Sequence, residues 1–336
     1  MMNGDELSNR PGETAWRAFR ETCLPGLPQG DVSPWPAFWQ HDPSCEHDEQ
    51  AWIDSTLRFY EETGTALVKL TGPAHYQVAD RGVEGSWTGA PLGERTFTRR
   101  AIAAVADWQK IPAGLTSSEA SVVRVAAALR RQLPAEVPLL VTVFAPATQA
   151  LMLADPAQFM AHARIAPEAI RAALRQLAQQ TATLIDCFAQ AGVNGIFLVS
   201  KHHALMDRTR YLAIAEESDQ LVAAACREFP ANLLHLHGEL LHLEGLPGAG
   251  PWMIHIEPDP RNPGMSQIRT LTGHPVILAL DYPIWESGDV AGPIQQGLAA
   301  LGQRSALVGA PCAVPLRYRR SEIATWVRNA RSCHAG

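Results

Sequence analysis

The sequence lacks the features that define several large protein classes. No apolar stretch in its 336 residues approaches the roughly 18 needed to cross a bilayer. Residues 1–10 are polar and acidic and contain no signal-peptide core. The net charge of −6 provides no electrostatic reason for nucleic-acid binding. We therefore expect a soluble, cytoplasmic protein with neither a membrane nor a nucleic-acid partner.

Paired cysteines are also missing. The six cysteines form no Cys-x-x-Cys pair and have no regular spacing. In a cytosolic chain of this length, such cysteines are typically free thiols rather than a disulfide framework. Cys187 and Cys226 fall within helical patterns and are expected in the core. Cys312 differs, because it follows a strand-like run and stands beside Pro311.

Short apolar runs alternate with longer segments of helical period from residue 34 onward. Strands are predicted at residues 34–39, 66–71, 138–144, 193–199, 232–237, 252–256, 275–281 and 305–309. Helices are predicted at residues 48–62, 117–133, 156–164, 167–191, 207–227, 263–271, 291–301 and 321–330. A small hairpin is predicted between residues 85–87 and 96–98.

This alternation predicts an α/β fold, a single (β/α)8 TIM barrel. Residues 34–336 are predicted to form the barrel, and residues 1–33 an N-terminal extension outside it. The alternative is an open, doubly wound sheet. We disfavour it because no glycine-rich nucleotide-binding loop follows an early strand.

The most informative local motif is His235-Leu236-His237 on the fifth predicted strand. Side chains alternate along a strand, so both imidazoles point to one face. Active sites of this fold lie at the carboxyl ends of the strands. Polar residues gather at those predicted ends: His41, Lys69, His203, His235, His237, Glu239, His255, Glu257, Asp281 and Cys312.

The residue types at these ends point to metal chemistry. Two imidazoles and a thiolate, from His235, His237 and Cys312, form a borderline-soft donor set that suits Zn²⁺. A catalytic zinc keeps one position open, where a substrate thiol would lose its proton and become a nucleophile. The alternative is structural: hydrogen-bonded core histidines and a small buried cysteine. Lys69, inside an apolar strand, must pair with a carboxylate or shift its pKa.

Six segments in order along the chain resemble the uroporphyrinogen decarboxylase superfamily, which includes corrinoid-linked and related methyltransferases. The matching segments are residues 36–39, 66–70, 141–146, 191–197, 232–238 and 308–312. The family's fold is a single (β/α)8 barrel. True uroporphyrinogen decarboxylases carry an arginine-rich loop after the first strand and an Asp after the second. Here those places read Trp39-Gln40-His41-Asp42-Pro43 and Thr71-Gly72-Pro73, which argues against porphyrinogen decarboxylation.

The methyltransferase branch holds zinc by His-x-Cys on the fifth strand and a Cys after the eighth. The resemblance therefore implies a zinc site at His235, His237 and Cys312, with His237 in place of the first Cys. This exchange keeps a zinc-competent set but makes it harder and less electron-rich. The chain has no Asp-x-His-x-x-Gly corrinoid motif. Any corrinoid would have to come from a separate partner protein.

Three functions remain open from the sequence. The first is zinc-dependent transfer of a methyl or alkyl group to a thiol-type small molecule, with Glu239 or His255 supporting the metal. The second is a decarboxylase for a smaller acid, using His203, His255 and Lys69 as acid, base and carboxylate anchor. The third is a noncatalytic small-molecule binder. In each case we expect a monomer or homodimer.

Overall fold

The computed structural model describes residues 34–201, 205–243, 252–302 and 306–333. The predicted N-terminal extension and His203 lie outside the described residues. Within these ranges there are ten strands: β1 (Trp35–Pro36), β2 (Val68–Leu70), β3 (Glu84–Trp87), β4 (Arg95–Arg99), β5 (Leu139–Phe144), β6 (Gly195–Ser200), β7 (Asn232–Leu236), β8 (Trp252–Ile256), β9 (Leu278–Ala279) and β10 (Leu307–Gly309).

Eight of these strands form a parallel barrel. Ladders of backbone hydrogen bonds join β2, β5, β6, β7 and β8 in one group and β1, β10 and β9 in another. The amide of Ala66 donates to the carbonyl of Pro36 at 2.8 Å, which links β1 to the start of β2. The amide of Ile277 donates to Ile254 at 2.9 Å, which links β8 to the segment entering β9. These two links complete the ring and confirm the predicted (β/α)8 fold.

Helices surround the barrel. Those within the described ranges are α1 (Glu49–Thr63), α2 (Tyr76–Ala79), α3 (Ser117–Gln132), α4 (Pro146–Leu153), α5 (Pro156–Ile165), α6 (Pro167–Gln190), α7 (Arg208–Ile214), α8 (Glu216–Ala225), α9 (Met265–Thr272), α10 (Tyr282–Ser287), α11 (Ala291–Leu301) and α12 (Arg320–Arg331). Several begin at a side-chain cap: Asp48 accepts from the amide of Ala51, and Thr116 from that of Glu119. None of these helices combines the length and apolarity that a membrane crossing requires.

The predicted elements differ from the observed ones mainly in three ways, besides the short helices α2 and α10, which were not predicted. The first and seventh strands are each only two residues long, where the sequence predicted 34–39 and 275–281. The predicted helix 207–227 is divided into α7, α8 and a short 3₁₀ turn, Cys226–Glu228. Helix α4 was not predicted, because all eight of its residues are buried and its sequence therefore has no polar face.

The β3–β4 hairpin was predicted correctly and pairs Gly85 with Phe97 and Ser86 with Thr96. Its connecting loop lies against the carboxyl end of the barrel. The amide of Leu316 donates to the carbonyl of Pro91 at 2.8 Å, which fixes this loop to the chain that follows β10. The hairpin therefore covers part of the end at which β7, β8 and β10 present their polar residues.

A buried ion pair between Arg81 and Glu119 joins the turn after α2 to α3. The two guanidinium–carboxylate distances are 3.0 and 3.2 Å, and both side chains are at most 3% exposed. Glu119→Gln leaves the charge of Arg81 buried without its counterion, so we expect a loss of about 3 kcal/mol in the free energy of unfolding. Urea unfolding followed by circular dichroism measures this loss.

Glu168→Gln is the matched control for that variant. Glu168 also pairs with an arginine, Arg171, but its side chain is 84% exposed. Such a surface pair contributes about 0–1 kcal/mol. Equal losses for the two variants would contradict a structural role for the buried pair.

Candidate metal centre

His235 lies within β7, and His237 directly follows Leu236, the last residue of that strand. His235 is buried, 3% exposed, and pairs in register with Val199 on β6 and His255 on β8. The amide of His237 donates to the carbonyl of Ser200 at 2.9 Å, which continues the strand pairing by one residue. The two imidazole centroids are 5.6 Å apart, so both rings point to the same side, as alternation along the strand predicts.

Cys312 reaches the same place from the loop after β10. Its Sγ lies 3.7 Å from Nε2 of His235, although the two residues are 77 positions apart in the sequence. Gly309 permits this path, because a Cβ there would overlap the backbone carbonyl of Ala37. The structure thus brings together the three residues that the sequence proposed as metal ligands.

A fourth residue, Glu257, completes the group. Its Oε1 lies 2.6 Å from Nδ1 of His237. One ligand atom from each of His235, His237, Glu257 and Cys312 lies within 4.8 Å of every other. We refer to these four residues as the His/Glu/Cys cluster.

Glu257 was predicted to lie at a strand end but not to be a metal ligand. The missing information was the register of β7 against β8. Since His235 pairs with His255, the residues two positions further along, 237 and 257, are neighbours as well. In adjacent parallel strands of known register, this equal spacing is the signal that would have identified Glu257.

The pKa values of the two histidines of the cluster are shifted in opposite directions. Burial lowers the pKa of His235 well below its ordinary value, and the neighbouring His255 adds to the effect. Burial alone would also lower the pKa of His237, but hydrogen bonds with Cys312 and Glu257 outweigh it and raise the pKa to about 9. His235 therefore offers a neutral lone pair at neutral pH, while the groups around His237 attract a positive charge.

His255 lies behind the cluster. Its ring is fully buried, stacks on His235 at 4.7 Å between centroids, and is 3.1 Å from the carbonyl of Ala310 through Nε2. Because a carbonyl only accepts, Nε2 carries the hydrogen. Burial lowers the pKa of His255 to about 4, so the ring is neutral near pH 7. His255 thus connects β8 to the loop that carries Cys312.

The other predicted site residues are placed differently. Lys69 is inside the barrel, 8% exposed, with Nζ 4.3 Å from the Phe197 ring centroid and 5.4 Å from that of Trp39. Glu239 is exposed, forms an ion pair with Arg261 and is not part of the cluster. His203 falls in the part of the chain that the structure leaves undescribed.

An open cleft of about 630 Å³ leads to the cluster. Its walls are largely apolar, with Phe144, Phe197 and Val199 on the barrel side and Leu92 from the hairpin loop. His235, His237 and Cys312 lie on its surface, as do Lys69 and Lys201. A small molecule with an apolar body and a polar end therefore has direct access to the cluster.

The cluster fits a zinc ion by its chemistry. Two imidazoles, a thiol and a carboxylate include the soft donor that Mg²⁺ and Ca²⁺ avoid and that Zn²⁺ prefers. With Zn–S of about 2.3 Å and Zn–N of about 2.1 Å, tetrahedral ligands lie roughly 3.4–3.8 Å apart. The 3.7 Å between Cys312 and His235 agrees with this spacing, whereas the 2.6 Å between Glu257 and Nδ1 of His237 is shorter and is that of a hydrogen bond. Nδ1 of His235 is also buried without a hydrogen-bond partner.

Comparison with solved structures shows the same fold. A methyltransferase from Methanosarcina mazei aligns with a TM-score of 0.76 and 13% identity, over 96% of this chain and 98% of the other. A B12-independent methionine synthase from Shewanella sp. W3-18-1, in complex with selenomethionine, aligns with a TM-score of 0.59 and 12% identity, over 90% and 96% of the two chains. A search of curated protein sequences finds no significant match.

A comparison with family models is more specific. The model described as uroporphyrinogen decarboxylase (URO-D) matches residues 91–274, more than half of the chain. This region contains β5 to β8 and therefore three of the four residues of the cluster. The match agrees with the order of segments noted in the sequence and with the barrel. The chain belongs to the uroporphyrinogen decarboxylase family.

Proposed function

We propose that this protein is a zinc-dependent enzyme that transfers a methyl or alkyl group to a thiol-type small molecule. The observation that carries the proposal is the convergence of His235, His237, Glu257 and Cys312 within 4.8 Å at the head of an open cleft. The fold shared with a methyltransferase and a methionine synthase supports the same reaction class. The cleft has the apolar walls that a small thiol compound requires.

The residues of the site have separate roles in the proposed reaction. His235, His237 and Cys312 would hold the zinc ion, and Glu257 would complete the donor set and neutralise charge. A zinc ion bound there would supply the positive charge that favours the thiolate form of a substrate thiol near neutral pH. His255 positions His235 by stacking and the Cys312 loop by its hydrogen bond to Ala310.

None of the four residues of the cluster supplies the methyl group, so a separate methyl donor has to enter the cleft. No Asp-x-His-x-x-Gly motif is present in the sequence. A corrinoid donor would therefore be presented by a separate protein at the mouth of the cleft. A small methylated compound bound in the cleft would need no partner.

A generic donor tests the reaction class without knowledge of the natural one. Zinc-loaded protein is mixed with a small thiol and methyl iodide at neutral pH, and thioether formation is measured against a protein-free blank. We expect faster methylation with the loaded protein and the blank rate after removal of zinc by a chelator. A rate equal to the blank with fully loaded protein would overturn the proposal.

Glu257→Gln tests the fourth donor. The amide keeps the shape of the side chain but removes its charge and weakens its bond to His237, so we expect zinc affinity to fall by about 10–100-fold. Competition with a fluorescent chelator measures the dissociation constant. Glu239→Gln is the matched control, since Glu239 pairs with Arg261 at the surface, and its affinity should be unchanged. An equal fall in both variants would contradict a specific role for Glu257.

A further inference from the structure

The chain contains 25 arginines but only three lysines. Two of the three, Lys69 and Lys201, line the cleft that leads to the cluster. The third, Lys110, is at the surface and pairs with Asp107 at 2.9 Å. Arginine stays protonated in proteins, whereas lysine can lose its proton and act as a nucleophile. In a chain that carries its positive charge almost entirely on arginine, two lysines in one cleft indicate a need for an amine there.

The surroundings of Lys69 favour a reactive amine. Among the described residues, no carboxylate forms an ion pair with its Nζ; Glu46, which acts on it only through its charge, is held by His41 and Arg95. Its polar end lies instead against the rings of Phe197 and Trp39. Burial lowers the pKa of Lys69 to about 7, so a large share of the amine is neutral at physiological pH.

The position of Lys69 suits binding of a ligand. It is the middle residue of β2, so its backbone is fixed by the pairing of Lys69 with Leu140 on β5. Besides the cluster cleft, Lys69 lines a second cavity of about 770 Å³, which also contains Gln40, Ser55 and Arg320. Trp39, His41 and Lys69 belong to both cavities and form the wall between them.

We propose that Lys69 is a carbonyl-binding residue, whose amine condenses with the aldehyde or ketone group of a small oxo acid, while the ammonium of Lys201 pairs with the acid's carboxylate. Nζ attacks the carbonyl carbon, the N–C bond forms, and the oxygen takes up a proton to give a carbinolamine. Loss of that oxygen as water leaves an N=C bond. Amine and carbonyl thus give imine and water, with no change of oxidation state.

This inference does not require bound zinc, because Lys69 and Lys201 are not among the four cluster residues; the charge of Cys312 acts on Lys69 only by raising its pKa against the larger effect of burial. The test is therefore carried out with chelator present. Purified full-length protein is incubated with glyoxylate and sodium cyanoborohydride, which reduces imines and leaves free aldehydes largely untouched. Peptide mass mapping then locates the carboxymethyl group. The small number of lysines makes the map simple.

We expect Lys69 to be labelled at least about tenfold faster than Lys110, whose amine is held in a surface ion pair with Asp107. Lys201→Met should slow the labelling of Lys69 by glyoxylate but not by the uncharged aldehyde propanal. Lys69→Arg should remove the fast label, and thermal unfolding followed by circular dichroism shows whether that variant is folded. Labelling of Lys69 no faster than Lys110 in the wild-type protein would overturn the proposal. So would slower labelling of Lys69 by propanal in the presence of glyoxylate, if glyoxylate itself formed no covalent product with Lys69. That result would show an anion site instead.

Discussion

Cys312→Ala is expected to abolish stoichiometric zinc binding. Cys312 provides the only thiol of the cluster and comes from a different part of the barrel than the two histidines. Loss of an outer partner of a metal ligand costs about 10–100-fold in affinity, and loss of the thiolate itself should exceed that range. Without the sulfur, the remaining imidazoles and carboxylate also lose much of their preference for zinc. Metal analysis of the purified variant measures the effect.

Cys187→Ala is the matched control for this experiment. Cys187 is a free, partly buried cysteine on α6 and is not part of the cluster. Its removal should leave one zinc ion bound. His237→Ala should resemble Cys312→Ala, because it removes another ligand of the same cluster. Full zinc content in both cluster variants would show that the ion is held elsewhere.

Gly195→Ala is expected to have the largest effect on folding. Gly195 begins β6, between β5 and β7, and a Cβ at this position would overlap the backbone carbonyl oxygen of Ala231. A carbonyl of the neighbouring strand cannot move aside as a flexible side chain does, so the strands would have to separate. We expect a loss of more than about 4 kcal/mol in the free energy of unfolding. Chemical unfolding, or loss of soluble protein, measures this loss.

Gly292→Ala is the corresponding control. Gly292 is in α11, and a Cβ there would meet no atom within 4 Å. Alanine favours a helix over glycine by up to about 1 kcal/mol, so stability should be unchanged or slightly higher. If both variants unfolded alike, the close approach of β6 and β7 at Gly195 could not be the cause.

Much of the barrel could be predicted because a parallel strand that is buried on both faces appears in the sequence as a short, mainly apolar run. Leu139–Phe144 is apolar except for Thr142, and all six of its residues are buried. The same property concealed α4, whose burial on every side removes the polar face by which a helix is recognised. The division of the 207–227 helix into α7 and α8 left no comparable trace, since no Gly or Pro marks it.

The candidate site was predictable in part for a similar reason. Alternation along one strand places His235 beside His237, and the fold rule places Cys312 at the same end of the barrel. Glu257 required the register between two strands, which no single segment encodes. The surface position of Glu239 also follows from tertiary structure, because only the folded chain brings Arg261 to its carboxylate.

The most direct test of the metal centre is X-ray absorption at the zinc edge, with and without a small thiol. We predict one sulfur at about 2.3 Å together with nitrogen or oxygen ligands at about 2.0–2.1 Å in the zinc-loaded protein. Addition of the thiol should raise the sulfur count from one to two. A ligand shell without sulfur, or a sulfur count that the thiol does not change, would contradict this prediction.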